Sequence, residues 1–248
     1  MKILTENIDI PAPDGSAIRT FLASPQSDGA YPGIIFYSDI FQLTGPMVRA
    51  CARLAGYGLV VAAPEIYRRI EAPGVVIPFD DDGRDRGMRD AAETPVADFD
   101  ADCRTVLDYL HDHPAVATGK VGAAGFCIGG HLAFRAALQP DVLATVCFYG
   151  TGIHNGKLGK DEDARSLARA AEITGELLLV WGENDPHIPQ DGREKIERTL
   201  SDAGVNFLRQ SYPAEHAFMR DVGPRFDPEA TDAAFQKMID FFRSVFGL

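Results

Sequence analysis

Gly125-Phe126-Cys127-Ile128-Gly129-Gly130 is the stretch on which the fold turns. A short β-like run, residues 120–124, leads into it, and a helix-like run, residues 131–138, leaves it. Strand, sharp turn with flanking glycines, helix is the layout of a nucleophile elbow, with cysteine at its centre. The requirement is steric. The central residue is held in a strained backbone above the sheet, and the residues two before and two after crowd the turn, so Gly125 and Gly129 carry no Cβ there. A helix that starts at once aims its N–H groups at the same spot, which favours a thiolate and a developing oxyanion. The plainer reading is a Gly-rich strand-to-helix turn with a buried cysteine. Phosphate-binding loops fail on detail. A P-loop needs Gly-Lys-Ser/Thr, but His131 and Leu132 follow Gly130, and the spacing of four between Gly125 and Gly129 does not fit G-x-G-x-x-G.

The surroundings decide between these readings. Residues 5–24 alternate like a hairpin around Pro11-Ala12-Pro13-Asp14-Gly15, and residues 33–38 and 59–63 are short apolar runs suited to a buried sheet. Pro46 opens a helix that Gly56 and Gly58 end, and residues 95–110 return to helical spacing through Phe99, Cys103, Val106, Leu107 and Leu110. After the elbow the pattern gives a strand at 143–149, a glycine-rich loop at 150–160, a polar helix at 161–171 and a strand at 177–181. A helix at 190–203, a strand at 205–212 and a closing helix at 232–246 follow. This alternation predicts an α/β fold with a mostly parallel central sheet and helices on both faces. Residues 65–95, rich in Asp, Arg, Gly and Pro, show no clear period and read as a long loop, either a rim or cap over the site or a solvated excursion.

Composition sets limits. A chain of 248 residues suits one domain, residues 1–248, and 46% hydrophobic with 24% charged residues is ordinary for a globule. The net charge of −12 argues against nucleic acid and anionic membranes as partners. The expected partner is a small molecule, bound by a monomer or small homo-oligomer. The first residues do not resemble a signal peptide, no apolar run reaches membrane-spanning length, and the four cysteines form no C-x-x-C pair, so a reducing cytoplasm is expected. Asp98, Asp100 and Asp102 have calcium-loop spacing, but Cys103 stands where Gly is needed and Tyr109 where Glu is needed. His111 and His113 lack a third ligand nearby, so no metal and no cofactor are expected.

A nucleophile needs a base, and the base an orienting acid. Two loops after strands supply them in the order the elbow architecture uses: Gly182-Glu183-Asn184-Asp185-Pro186-His187 and Pro213-Ala214-Glu215-His216-Ala217-Phe218. Asp185 and His216 have the right type, order and setting for Cys127. Glu183 is a rival acid, less favoured because Asp185 leads Pro186 at the outer turn. His131 is a rival base, one helical turn after Cys127, although helix packing is its expected role.

With these pieces together the chain resembles dienelactone hydrolases of the α/β-hydrolase superfamily over nearly its whole length. The likeness rests on Ser38-Asp39-Ile40-Phe41, Ala63-Pro64-Glu65-Ile66-Tyr67, the elbow, Asp185 and His216-Ala217-Phe218-Met219-Arg220. The resemblance implies an α/β-hydrolase fold and cleavage of esters or lactones through a Cys127–His216–Asp185 triad and a thioester. It implies an oxyanion hole from the N–H groups of Ile40 and Ile128, and Asp39 as the activating acid where the family has glutamate. Substrate would be bound by Arg220, Phe41, Tyr67 and an arginine of 84–89, Arg84 first among them. Ala217 replaces a family serine, which removes one polar substrate contact. Two other readings stand beside this one: a redox sensor or binding protein on a hydrolase fold, and a hydrolase of another ester class such as phosphotriesters or thioesters.

Overall fold

The computed structural model describes residues 1–248. Eight strands form one sheet: β1 (Ile3–Pro11), β2 (Ala17–Pro25), β3 (Tyr31–Tyr37), β4 (Val60–Pro64), β5 (Val116–Phe126), β6 (Val142–Phe148), β7 (Glu176–Gly182) and β8 (Phe207–Tyr212). Their spatial order is β1-β2-β4-β3-β5-β6-β7-β8. The β1–β2 hairpin joins β4 antiparallel, and every pairing from β4 to β8 is parallel. Strands β4, β6 and β7 are buried almost throughout, as a sheet covered on both faces requires.

The helices are α1 (Gly45–Ala55), α2 (Asp81–Glu93), α3 (Val96–Asp112), α4 (Ile128–Ala136), α5 (Gln190–Asp202) and α6 (Pro228–Phe246). Side chains three apart on a strand point to opposite faces. A Cβ on Gly122 of β5 would meet the Phe246 ring of α6, and one on Gly125 would run into the Gly129 carbonyl of α4. Helices α6 and α4 therefore cover opposite faces. On the first face Arg53 of α1 lies 4.1 Å over the Phe235 ring of α6. On the second, Arg135 of α4 donates from Nε to Asp100 of α3 at 2.7 Å.

Two expectations need correction. Residues 65–95 are not one long loop, because α2 runs through them, capped by the Asp80 carboxylate accepting from the Gly83 N–H at 2.7 Å. Its buried face is Gly83, Gly87 and Asp90, not an aliphatic stripe, so no hydrophobic period marks it. The polar helix at 161–171 shrinks to a 3₁₀ turn, Leu167–Glu172. Ahead of it Asp163 accepts from the Arg165 N–H and Asp161 from the Val96 N–H, both at 2.8 Å, and Arg165 takes φ 56°. Short acidic side chains that bond backbone in this way compete with helix formation.

Candidate active site

Because the strands from β3 to β8 run parallel, the loops after β3, β5, β6, β7 and β8 gather at one edge of the sheet. Cys127 follows β5 with φ 60° and ψ −121°, outside the regions open to ordinary side chains, and opens α4. Such a conformation costs of order 1–3 kcal/mol and persists where the surroundings fix it. Here its N–H donates to the Phe148 carbonyl at 3.1 Å, and its carbonyl accepts from Gly130 at 3.0 Å and Thr151 at 3.2 Å. A Cβ on Gly129 would clash with the carbonyls of Tyr37 and Ser38, so the close approach of α4 to the end of β3 requires glycine.

His216 and Asp185 come from the loops after β8 and β7. His216 Nδ1 donates to Asp185 Oδ2 at 2.7 Å, with both side chains buried. Asp185 Oδ1 accepts the His187 N–H at 2.8 Å, which fixes the carboxylate. Burial pushes the His216 imidazole down. The charge of the Cys127 sulfur and the Asp185 hydrogen bond outweigh it, and the pKa is lifted to about 9. The Cys127 sulfur is near enough to the ring to raise this pKa both by its charge and by hydrogen bonding. The His187 ring stands edge-on to His216 at 4.6 Å, and its own pKa is lowered by burial and then by the neighbouring His216.

The rivals are placed elsewhere. Glu183 is exposed; its N–H donates to the Tyr212 carbonyl and its carbonyl accepts from Arg193 Nη2, while its carboxylate makes no hydrogen bond or ion pair. His131 is fully buried between the Thr151 carbonyl, 2.8 Å from Nδ1, and Ser166 Oγ, 2.8 Å from Nε2. Burial drives its pKa down to about 3, so it stays neutral as a packing residue.

Cys127 and His216 open into a pocket of about 960 Å³ with Ile40, Phe41, Arg84, Ile128 and Arg220 also in its wall. Ile128 is the first residue of α4, so its N–H has no partner one turn back. The Ile40 N–H makes no hydrogen bond in the loop, whereas the next N–H, that of Phe41, donates to Asp39 Oδ1 at 3.0 Å. Arg220 donates to Asp39 Oδ2 from Nε at 3.1 Å and Nη2 at 2.6 Å, and its guanidinium lies 4.9 Å over Phe41 and 4.2 Å over Phe79. Asp39 is thus held by Arg220 and by backbone, not by the thiol. Arg84 stands at the rim between Asp81 and Asp85. Tyr67 does not reach the pocket. It is 1% exposed, its N–H is held by Gln42 Oε1, and its buried hydroxyl, without a hydrogen-bond partner, feels the charges of Cys127 and Asp39.

Several wall residues carry no signal in the sequence: Phe79, Met88, Lys157, Leu158, Val222 and Arg225. They come from three separated segments and share a wall only after folding. The one available clue was the long charged stretch before Pro95 with its Asp80-Asp81-Asp82 start, a helix N-terminus.

The family model for the dienelactone hydrolase family matches residues 18–246. The chain is 36% identical to "Putative carboxymethylenebutenolidase" of Saccharomyces cerevisiae, over 97% of this chain and 92% of that one. It is 28% identical to a carboxymethylenebutenolidase of Pseudomonas sp. strain P51, over 97% and 96%. Among solved structures, one described as a "Putative Dienelactone Hydrolase" from Klebsiella pneumoniae superposes with a TM-score of 0.86 at 26% identity, covering 98% of this chain and 99% of that one. The chain belongs to the dienelactone hydrolase family and is a hydrolase of that type on the α/β-hydrolase fold.

Proposed function

We propose that this protein cleaves carboxylic esters or lactones through a thioester on Cys127, with His216 as base and Asp185 as its orienting acid. The observation that carries the reading is the buried 2.7 Å Asp185–His216 hydrogen bond, which leaves the other ring nitrogen for the sulfur on the elbow. Names carried by relatives at 28–36% identity support a lactone or ester as the substrate class.

The Cys127 proton rests on His216 Nε2, whose raised pKa favours it there, and the Cys127 Sγ thiolate attacks the carbonyl carbon. The oxyanion sits against the N–H groups of Ile128 and Ile40; one such donor is typically worth about 10²–10³ in rate. The C–O bond breaks and the alkoxide or enolate takes the proton from His216. Water then attacks the thioester with His216 as base, and the thiolate leaves. A good leaving group is favoured, because a thiolate is itself readily expelled from the tetrahedral adduct.

Arg220 and Arg84 supply the cations for a substrate carboxylate, and Phe41 packs against its body. A carboxylate that competes for Arg220 frees Asp39, one residue from the oxyanion site, to act on the thiol. The segment 79–92 forms the rim of a single domain. Turnover of a panel of activated esters and lactones by the native protein and by Cys127→Ala tests the proposal. The variant is expected to be inactive with an unchanged circular dichroism spectrum. Full activity in the variant discards the scheme, and a native protein inert on the whole panel returns the chain to the non-catalytic reading.

A further inference from the structure

The protein carries 24 basic and 36 acidic residues, yet its pocket wall holds four cationic side chains, Arg84, Lys157, Arg220 and Arg225, against two carboxylates, Asp80 and Asp81. In such a wall the cation without a carboxylate beside it is the one free to draw an anion. Three of the four cations already have acidic partners: Arg84 with Asp81 and Asp85, Arg220 with Asp39, Arg225 with Glu215. Lys157 has none and makes no side-chain hydrogen bond; only its N–H is engaged, by Asn155 Oδ1 at 3.0 Å.

Lys157 and Arg220 stand at opposite ends of the pocket. Helix α2 forms one wall through Asp81, Arg84, Met88, Ala91 and Ala92, a stripe at spacings of three and four. At 1.5 Å per residue this wall is about 16 Å long. At its N-terminal end lie Phe79 and the guanidinium of Arg220 stacked on it. At its C-terminal end the segment carrying Lys157 and Leu158 docks, where the Lys160 N–H donates to the Thr94 carbonyl at 2.9 Å and Asp161 accepts from Val96. The middle of α2 rests on the oxyanion segment, because a Cβ on Gly87 would strike the Ile40 carbonyl.

The backbone that presents Lys157 is fixed. The Thr151 N–H donates to the Cys127 carbonyl, the Thr151 carbonyl is held by His131, and Gly156 is tied to Gly152 and Ala164 at 2.8 and 2.9 Å. A volume of about 960 Å³ exceeds what a small lactone fills and lies at the upper end of ligand pockets.

We propose that the pocket has a second anion subsite, read by Lys157, on the far side of the reacting carbonyl from Arg220. The substrate is then an elongated ester with an apolar body along α2 and a carboxylate on the arm that reaches Lys157. This rests on the ester-hydrolase reading above and deepens it.

The test uses two matched series of esters. In one the acyl chain ends in carboxylate or methyl, as in nitrophenyl esters of pimelic and heptanoic acid; in the other the alcohol arm carries or lacks the carboxylate. The readout is the ratio of kcat/KM for charged over neutral ester. In one series we expect the ratio to be about fivefold in favour of the charged ester, the upper range for an exposed pair, expressed in KM and shrinking with added salt. Lys157→Met brings that ratio to about one, whereas Lys160→Met, on the neighbouring backbone but outside the pocket wall, retains it. A ratio that Lys157→Met leaves unchanged in both series overturns the subsite while the neutral esters still turn over. If the neutral esters are not hydrolysed and no acyl group appears on Cys127, the ester-hydrolase reading itself has failed.

Discussion

The proximity of Cys127 to His216 has a thermodynamic consequence that titration can read. The imidazole is held at about 9 against an ordinary value of 6.5. At about 1.4 kcal/mol per pKa unit the gap corresponds to roughly 3 kcal/mol of folding stability. The ring is buried, so solvent screening removes little of this. A pKa raised in the folded state means that protonation favours that state. The contribution is therefore complete below pH 6.5 and is lost as pH rises through about 9. Burial opposes the raised value, and among the influences that raise it the charge of the Cys127 sulfur is the largest. Cys127→Ala leaves burial opposed by Asp185 alone, so the ring should titrate well below 9 in that variant. The assay is proton NMR of the His216 ring in both proteins, assigned with His216→Gln, together with urea unfolding at pH 6, 7.5 and 9.5. The native protein should lose roughly 3 kcal/mol across that range, and Cys127→Ala clearly less. Superimposable stability curves, or a His216 that titrates at the same pH in both proteins, would refute the coupling.

Asp185→Asn removes the carboxylate that fixes the tautomer of His216, and kcat should fall roughly 10²–10⁴-fold with a lowered His216 pKa in the NMR titration. Arg220→Met should raise KM for carboxylate-bearing esters more than for neutral ones, measured in parallel kinetics, because the guanidinium is the cation nearest the Phe41 wall. Gly87→Ala pushes α2 off the Ile40 carbonyl; an oxyanion donor displaced in this way should cost about 10²-fold in kcat, and the clash with backbone should also lower the melting temperature. Gly129→Ala has no space against the end of β3 and should destabilise by about 1–3 kcal/mol or more in denaturant titration.

The elbow was legible in the sequence because its constraint is local: two glycines, a cysteine, and the change from strand to helix. Asp185 and His216 were legible as a pair because chain order puts them on the loops that end two neighbouring strands, the apolar β7 and the half-exposed edge strand β8. The parallel sheet followed from continuous apolar runs such as Leu177–Trp181, buried throughout β7. Helix α2 was not legible, because its inner side faces a cavity and the Ile40 carbonyl and so has no hydrophobic stripe. Asp39 shows a different limit. Its position beside Ile40 could be read, but its carboxylate is engaged by Arg220, 181 residues away in the chain. Lys157 was invisible for a related reason: a lysine in a glycine-rich loop has meaning only once that loop is seen docked against the end of α2.

The most direct measurement is mass spectrometry of protein quenched within one turnover of an activated ester. The account predicts an added acyl mass on the peptide containing Cys127, absent in Cys127→Ala and discharged by water as His216 acts. Hydrolysis at full rate with no acyl group on that peptide at any time would contradict it.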